Sequence, residues 1–160
     1  MAEGQTMKMK STLRVLDQAR VKKLPGVVKG QTLRPIVGVP DFPSERIRAA
    51  VAMFEPGTHE ELHWHAIEVF YYVMEGGAIV RDYHGKEYKV GPGCSIYAPA
   101  GIAGSHEWQV GKRGLKLLSI RATRDGHRRM QFTVDRKTRR SYIELEELAK
   151  MDGVSFGSHY

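Results

Sequence analysis

The sequence predicts an all-β protein, an antiparallel sandwich or barrel, and three observations support this class. About nine short runs rich in β-branched and aromatic residues follow one another between residues 31 and 135. Turns rich in Gly, Pro or Asp separate these runs. The chain has 160 residues, of which 41% are hydrophobic and 27% charged, so one soluble domain can bury a core of its own.

The predicted strands are, in chain order, TLRPIVGV, ERIRAAVAMF, EVFYYVM, AIVRDY, KEYKV, CSIYA, HEWQV, LKLLSIRA and MQFTV. Between them lie the predicted turns PDFP, EPG, EGG, HGK, GPG, PAGIAG, GKRG and RDG, in which Gly or Pro interrupts regular structure. Residues 1–30 form an N-terminal extension, in which residues 11–25 fit a short helix or strand that ends at Pro25-Gly26. We therefore expect one barrel domain over residues 31–135.

A short helix is predicted after the barrel, in the C-terminal segment 136–160. Ser141 is a candidate N-cap and Glu144 lies three residues on, which is a capping-box pattern, and Gly153 can end the helix. Its apolar side consists of Ile143, Leu145, Leu148 and Met151. We expect this side to pack against the outside of the sheet.

Several classes of protein are disfavoured by composition. No window approaches 18 uninterrupted apolar residues, so no membrane span is expected, and the first ten residues lack the apolar core of a secretory signal. A single cysteine, Cys94, excludes a disulfide framework within the chain and fits a reducing cytoplasm. We therefore expect a cytoplasmic protein without a membrane partner.

The formal net charge is +7, and basic residues gather in residues 124–142. Acidic residues are interleaved there, and no motif of alternating aromatic and basic residues suggests a nucleic-acid surface. A solvated basic face, or a rim that attracts anionic substrates, is the favoured interpretation. We do not expect a nucleic-acid partner.

The stretch HWH places His63 and His65 two positions apart. On a strand, such residues point to the same face, roughly 6.5–7 Å apart along the chain, and can converge on one ion. Imidazole suits zinc, iron, copper, nickel and manganese. With seven histidines in the chain, a pair of this kind also arises by chance, and both rings would then face solvent in a polar loop. The surrounding residues must decide between these interpretations.

Six residues around this pair resemble the two sequence motifs of the cupin superfamily. In the pattern G-x5-H-x-H, and in the pattern G-x5-P-x-G downstream, the matching residues are Gly57, His63, His65, Gly93, Pro99 and Gly101. The resemblance covers about residues 45 to 122, most of the predicted barrel. It implies a double-stranded β-helix, the jelly-roll barrel, with a metal ion near its mouth.

The chain departs from the family pattern at two positions. The glutamate of the first motif should fall on Val69, and the nearest carboxylate, Glu68, is one position early. Because neighbouring side chains on a strand alternate faces, a regular strand turns Glu68 away from the metal, and only a bulge or a tighter loop would bring it in. The last histidine should fall on Gly104, so a longer loop must carry His106 into the site.

Two sets of metal ligands therefore remain open. The first set is His63, His65, Glu68 and His106. The second set omits Glu68 and leaves Val69 and water in the rest of the shell. The orientation of residues 69–73 distinguishes the two ligand sets. If their even-numbered side chains line the pocket, Glu68 is in the site. If their odd-numbered side chains line it, the metal has three histidine ligands.

The three-histidine arrangement is similar to that of cupin dioxygenases that cleave diketones or hydroxylated acetophenones. This resemblance implies a metal ion, Fe2+ first and Zn2+, Mn2+ or Ni2+ as alternatives, that acts as a Lewis acid on a diketone, hydroxyketone or catechol-like small molecule. Glu68 is the candidate catalytic residue, as a fourth ligand or a proton shuttle. A metal-dependent isomerase, lyase or cyclase and a non-catalytic ligand-binding cupin are the alternatives. The resemblance also implies a homodimer.

Overall fold

The computed structural model describes residues 12–122 and 131–141. In this part of the chain the structure is almost entirely β, with two short 3-10 turns, Gln18–Arg20 and Ile102–Gly104. The strands are β1 (Leu24–Pro25), β2 (Gln31–Val37), β3 (Ile47–Phe54), β4 (His59–His65), β5 (Val69–Asp82), β6 (Glu87–Val90), β7 (Ser95–Ala98), β8 (His106–Ala122) and β9 (Gln131–Thr133). The all-β class predicted from the sequence is confirmed.

Two long strands, β5 and β8, pair with each other along almost their whole length and belong to both halves of a curled sheet. In one half, β3, β2 and β1 extend from β8, and β7 lies beside β5. In the other half, β4 and β9 extend from the first part of β8, and β6 lies beside the last part of β5. All of these pairs are antiparallel, as in a jelly-roll barrel.

Two of the predicted turns, EGG and GKRG, are instead bends inside continuous strands. The register of β5 against β8 shifts between Val73 and Glu75 and again between Gly76 and Ala78. Gly76 has a φ of 76°, and a Cβ at this position would collide with the carbonyl oxygen of Gly114. Glycine therefore lets the paired strands bend sharply together, because a bulge redirects a strand without ending it.

Alternating burial along β5 defines the inside of the barrel. Val69, Tyr71 and Val73 are buried, whereas Phe70 and Tyr72 are exposed. The inward side chains pack in the main core with residues of both halves of the sheet, including Ala52, Phe54, Val80, Trp108, Val110 and Leu117. Burying a Val or Leu side chain stabilises the fold by roughly 1.5–3 kcal/mol, so this row is a substantial part of the folding free energy.

A second, smaller apolar cluster lies on the other face of β4. Trp64 is 3% exposed and packs on Phe132 of β9, with 4.7 Å between the ring centroids. Its indole Nε1–H donates a hydrogen bond of 2.8 Å to Ser141 Oγ. The side chain of Trp64 thus points away from the histidines beside it, as strand alternation predicts.

Ser141 is the only residue of the predicted helix 141–153 that the structure describes, so the helix itself lies outside the described residues. None of the helices in the described part of the chain is long and apolar enough to span a bilayer.

Candidate metal centre

Three histidines meet on the inner face of the barrel. His63 and His65 lie on β4, and His106 is the first residue of β8, which pairs with β4 so that His63 and His106 are opposite each other. One nitrogen from each ring lies within 4.8 Å of the others. The three side chains are buried. The pairing of β4 with β8 thus brings together histidines that are far apart in the sequence.

Hydrogen bonds orient two of the three imidazoles. His63 Nδ1 is 2.7 Å from the carbonyl oxygen of Glu61, and His106 Nδ1 is 2.8 Å from that of Gly104. A carbonyl only accepts, so each Nδ1 carries the hydrogen and donates it, and each Nε2 has a free lone pair for a ligand.

Burial also keeps these rings neutral. It lowers the pKa of His63 to about 4 and the pKa of His106 to about 3, and a nearby positive charge from Arg121 acts in the same direction. A histidine must be neutral to bind a metal. Both rings are therefore ready to act as ligands at neutral pH, and this donor set fits the divalent ion that the sequence motifs imply.

The segment before β8 brings His106 to the site. Gly104, where the family pattern expects the histidine, is buried in the 3-10 turn Ile102–Gly104. A Cβ at Gly104 would collide with the carbonyl oxygen of Pro99, so only glycine fits at this position of the turn. The segment is two residues longer than the family pattern, and these two residues place His106 opposite His63. The sequence analysis expected such a longer loop.

Glu68 does not join the three histidines. It is exposed, and its Oε2 accepts a hydrogen bond of 2.8 Å from the hydroxyl of Tyr97. Val69, the next residue, is fully buried and occupies the inward position where the family pattern places a glutamate. The odd-numbered residues of 69–73 face the interior, so the structure brings together the three-histidine set and leaves Glu68 at the surface.

Among the residues that the structure describes, the carboxylate nearest the histidines belongs to Glu60, which the sequence analysis did not single out. Strict alternation from His63 would turn Glu60 outward, but the pairing of β4 with β8 shifts register between these two residues and turns Glu60 inward. Its Oε1 lies 3.9 Å from His63 Nε2 and accepts a hydrogen bond of 2.9 Å from Gln131 Nε2. Burial raises the pKa of Glu60. In the sequence, the only sign of a carboxylate near the histidines was the pair of adjacent acidic residues in HEEL.

Tyr71 completes the inner face beside the histidines. Its hydroxyl oxygen lies 3.0 Å from His65 Nε2 and 3.2 Å from His106 Nε2, and the side chain is buried. Burial raises the pKa of Tyr71. Tyr71 is therefore a polar group held directly against two of the ligand nitrogens.

Positive charge reaches the site from Arg121 on β8. Arg121 is opposite Val69 on β5 and opposite Arg48 on β3, so both arginines belong to the inward-facing rows. The positive charge of Arg121 acts on the Tyr71 hydroxyl and partly offsets the effect of burial on its pKa. Within residues 12–122 and 131–141, no carboxylate forms an ion pair with Arg121. In contrast, Arg81 pairs with acidic side chains.

A cavity of about 520 Å³ has His106 in its lining, and the other two histidines, Glu60 and Tyr71 are not part of this lining. It is lined by residues of β6 and β7 and by the segment that ends at His106. This volume is within the range of small-molecule sites. Cys94 lines the cavity and packs against the main core, in keeping with a structural cysteine.

Comparisons with known proteins agree with this architecture. The family model of the cupin domain matches residues 50–121. The polyketide cyclase RemF from Streptomyces resistomycificus is 24% identical, with a TM-score of 0.60 over 69% of this chain and 79% of that chain. An RmlC-like cupin from Shewanella frigidimarina is 16% identical, with a TM-score of 0.56 over 72% of this chain and 94% of that chain.

The oxalate decarboxylase from Bacillus subtilis is 24% identical, with a TM-score of 0.61. The match covers 78% of this chain and 33% of the decarboxylase, so this chain spans about a third of that protein. A search of curated proteins gave no significant match.

The fold and the site define a jelly-roll barrel whose inner face carries a three-histidine cluster able to hold a metal ion. The family-model match and the two sequence motifs fall on this same barrel and on these same histidines. Residues 50–121 of this chain are a domain of the cupin superfamily.

Proposed function

We propose that this protein is a metal-dependent enzyme acting on a small molecule that binds through two oxygen atoms, and that Fe2+ supports a dioxygenase reaction. The observation that carries this proposal is the cluster of three buried histidines, two of which are neutral with Nε2 available to a ligand. His63, His65 and His106 would hold the ion. When bound, it supplies Lewis-acid chemistry and open positions for a substrate such as a diketone, hydroxyketone or catechol.

Two charged side chains suit the chemistry of an enolisable diketone. Glu60 is buried beside His63 and its carboxylate can accept the proton that a substrate carbon loses. The negative charge that remains on the substrate oxygens is stabilised by the guanidinium of Arg121, which lies on the inner face. Glu60 therefore takes the proton-transfer role that the sequence suggested for Glu68.

A second candidate keeps the metal and omits O₂, as in a lyase, cyclase or decarboxylase. The observation in its favour is that similar solved structures include a polyketide cyclase, oxalate decarboxylases and DMSP lyases. At 16–24% identity these likenesses extend to the fold alone. A purely ligand-binding role is the remaining alternative.

One set of measurements separates these functions. The protein is purified without chelators, its metal content is determined, and the Fe2+-loaded form is offered acetylacetone, 2-hydroxyacetophenone and catechol in an oxygen electrode. We expect iron to bind in a ratio near one to one and at least one substrate to be consumed together with O₂. Product formation without O₂ uptake would favour the lyase or cyclase, and binding without turnover would favour the ligand-binding role.

Matched variants connect the result to the site. His106→Ala removes one ligand and should abolish metal binding, whereas His84→Ala changes an exposed histidine in the turn before β6 and should leave it intact. Full metal content in His106→Ala, or no metal uptake by the wild type, would contradict the proposal.

The homodimer also remains a prediction. Phe70 and Tyr97 are cross-strand neighbours on the outer face of β5 and β7, and both are exposed, as is Tyr72. Such an aromatic row is suited to contact with a second copy of the chain. One chain has a mass of 18.1 kDa. Light scattering of the purified protein should give twice this value.

A further inference from the structure

The three-histidine cluster leaves one inward position of the barrel to be explained. Val69 lies where the family pattern places a glutamate and has no donor atom. The next inward-facing residue on β5 is Tyr71, whose side chain is long enough to return to the level of the histidines. Its hydroxyl oxygen reaches two of the three ligand nitrogens.

The distances fit two ligands of one ion. Donors that each lie about 2.0–2.2 Å from a metal, at angles between octahedral and tetrahedral, are roughly 2.8–3.6 Å apart. The hydroxyl oxygen of Tyr71 is 3.0 Å from His65 Nε2 and 3.2 Å from His106 Nε2. Both values lie inside that interval.

In the metal-free protein, His65 Nε2–H can donate to the Tyr71 hydroxyl oxygen while that hydroxyl donates to His106 Nε2, so two hydrogen bonds account for both distances. This arrangement is lost once both histidines bind an ion through Nε2. Each Nε2 then directs a lone pair towards the ion and has no hydrogen to donate. The single hydroxyl hydrogen of Tyr71 can serve one of these nitrogens, and the other contact would join two acceptors. A cation shared by the three atoms removes this conflict.

A positively charged side chain also lies near the hydroxyl of Tyr71. The guanidinium of Arg121 is near enough to Tyr71 for its positive charge to act on the hydroxyl. Glu60, the other oxygen donor near the cluster, lies on the side of His63, and its Oε1 is held by Gln131. Tyr71 thus contacts the Nε2 atoms of His65 and His106, whereas Glu60 Oε1 lies 3.9 Å from that of His63.

We propose that Tyr71, through its hydroxyl oxygen, is the fourth protein ligand of the metal and takes the place of the family glutamate. This inference rests on the proposed function, because it requires a metal in the three-histidine site. Four protein ligands leave two positions of an octahedral ion, the number that a substrate chelating through two oxygens needs.

The test uses iron as a spectroscopic probe. The wild type, Tyr71→Phe and Tyr72→Phe are loaded with Fe2+ and oxidised to Fe3+, and iron content is measured in each sample. A tyrosine oxygen bound to Fe3+ produces a charge-transfer absorption in the visible region. We expect this band in the wild type and in Tyr72→Phe, whose altered side chain faces outward, and its loss in Tyr71→Phe at equal iron content. Iron affinity, measured by competition with a chelator, should fall at least ~10-fold in Tyr71→Phe alone.

Resonance Raman spectra of the wild type give a readout that does not depend on any variant. Excitation in the visible band should enhance tyrosine ring vibrations, and these should shift when the protein contains 3-fluorotyrosine. Iron bound without a tyrosinate band, or a band that persists in Tyr71→Phe, would overturn the role of Tyr71 and leave the three-histidine site standing. Failure of the wild type to bind iron would overturn this inference and the proposed function together.

Discussion

The buried neutral histidines make the stability of the metal-free protein depend on pH in a defined direction. The pKa of His63 is about 4 and that of His106 about 3 in the folded chain, compared with 6.5 for an ordinary histidine. Between these values the unfolded chain binds protons that the folded chain does not. The free energy of unfolding therefore falls as the pH is lowered through this window, and the loss ends once the pH is below the folded pKa values.

The magnitude follows from the width of the window. Each histidine contributes at most about 1.4 kcal/mol per pH unit, so lowering the pH from 7.5 to 5.0 should cost about 2 kcal/mol per ring and about 4 kcal/mol for the pair. Glu60 acts in the opposite direction, because its raised pKa means that the folded state binds its proton more readily than the unfolded state. A comparison between variants separates the two effects.

Urea unfolding with a chelator present provides the assay, on the wild type and on the double variant His63→Gln/His106→Gln at both pH values. The double variant retains Glu60 and lacks the two histidines, so the wild type should lose about 4 kcal/mol more than the variant does. Equal losses in the two proteins, within about 1 kcal/mol, would show that the histidines are not buried as neutral rings.

Three further substitutions test the architecture around the site. In Gly104→Ala, the added Cβ collides with a neighbouring carbonyl oxygen and displaces His106, so zinc affinity measured by calorimetry should fall by roughly 10-fold or more. Glu68→Gln changes an exposed side chain and should leave metal content unaltered and stability within about 0.5 kcal/mol of the wild type; loss of the metal would return Glu68 to the ligand set. Trp64→Phe removes the donor to Ser141 on the opposite face of β4 and should cost about 1 kcal/mol in urea unfolding, with the same metal content.

Much of the fold could be predicted because strands and turns are specified locally. Runs of β-branched and aromatic residues predicted most strands of the sheet, and alternation correctly placed Trp64 away from the histidines. The error at EGG and GKRG has a physical reason. A glycine with positive φ is compatible with a turn and with a bulge inside a strand. Which of the two forms depends on the neighbouring strand with which this segment pairs.

The sequence by itself determined the pair His63 and His65, because residues two positions apart on a strand must share a face. It also determined that Glu68, in a regular strand, points the other way from Val69. These conclusions depend only on the chain next to each residue.

The tertiary structure alone decided which other groups stand beside the histidines. Glu60 faces inward because β4 shifts its register against β8, and Arg121 lies on the inner face because β8 pairs there with β5. Tyr71 reaches His65 and His106 because the two halves of the sheet curl towards each other. Register shifts and curvature arise from pairing between distant segments, so no local pattern in the sequence contains them.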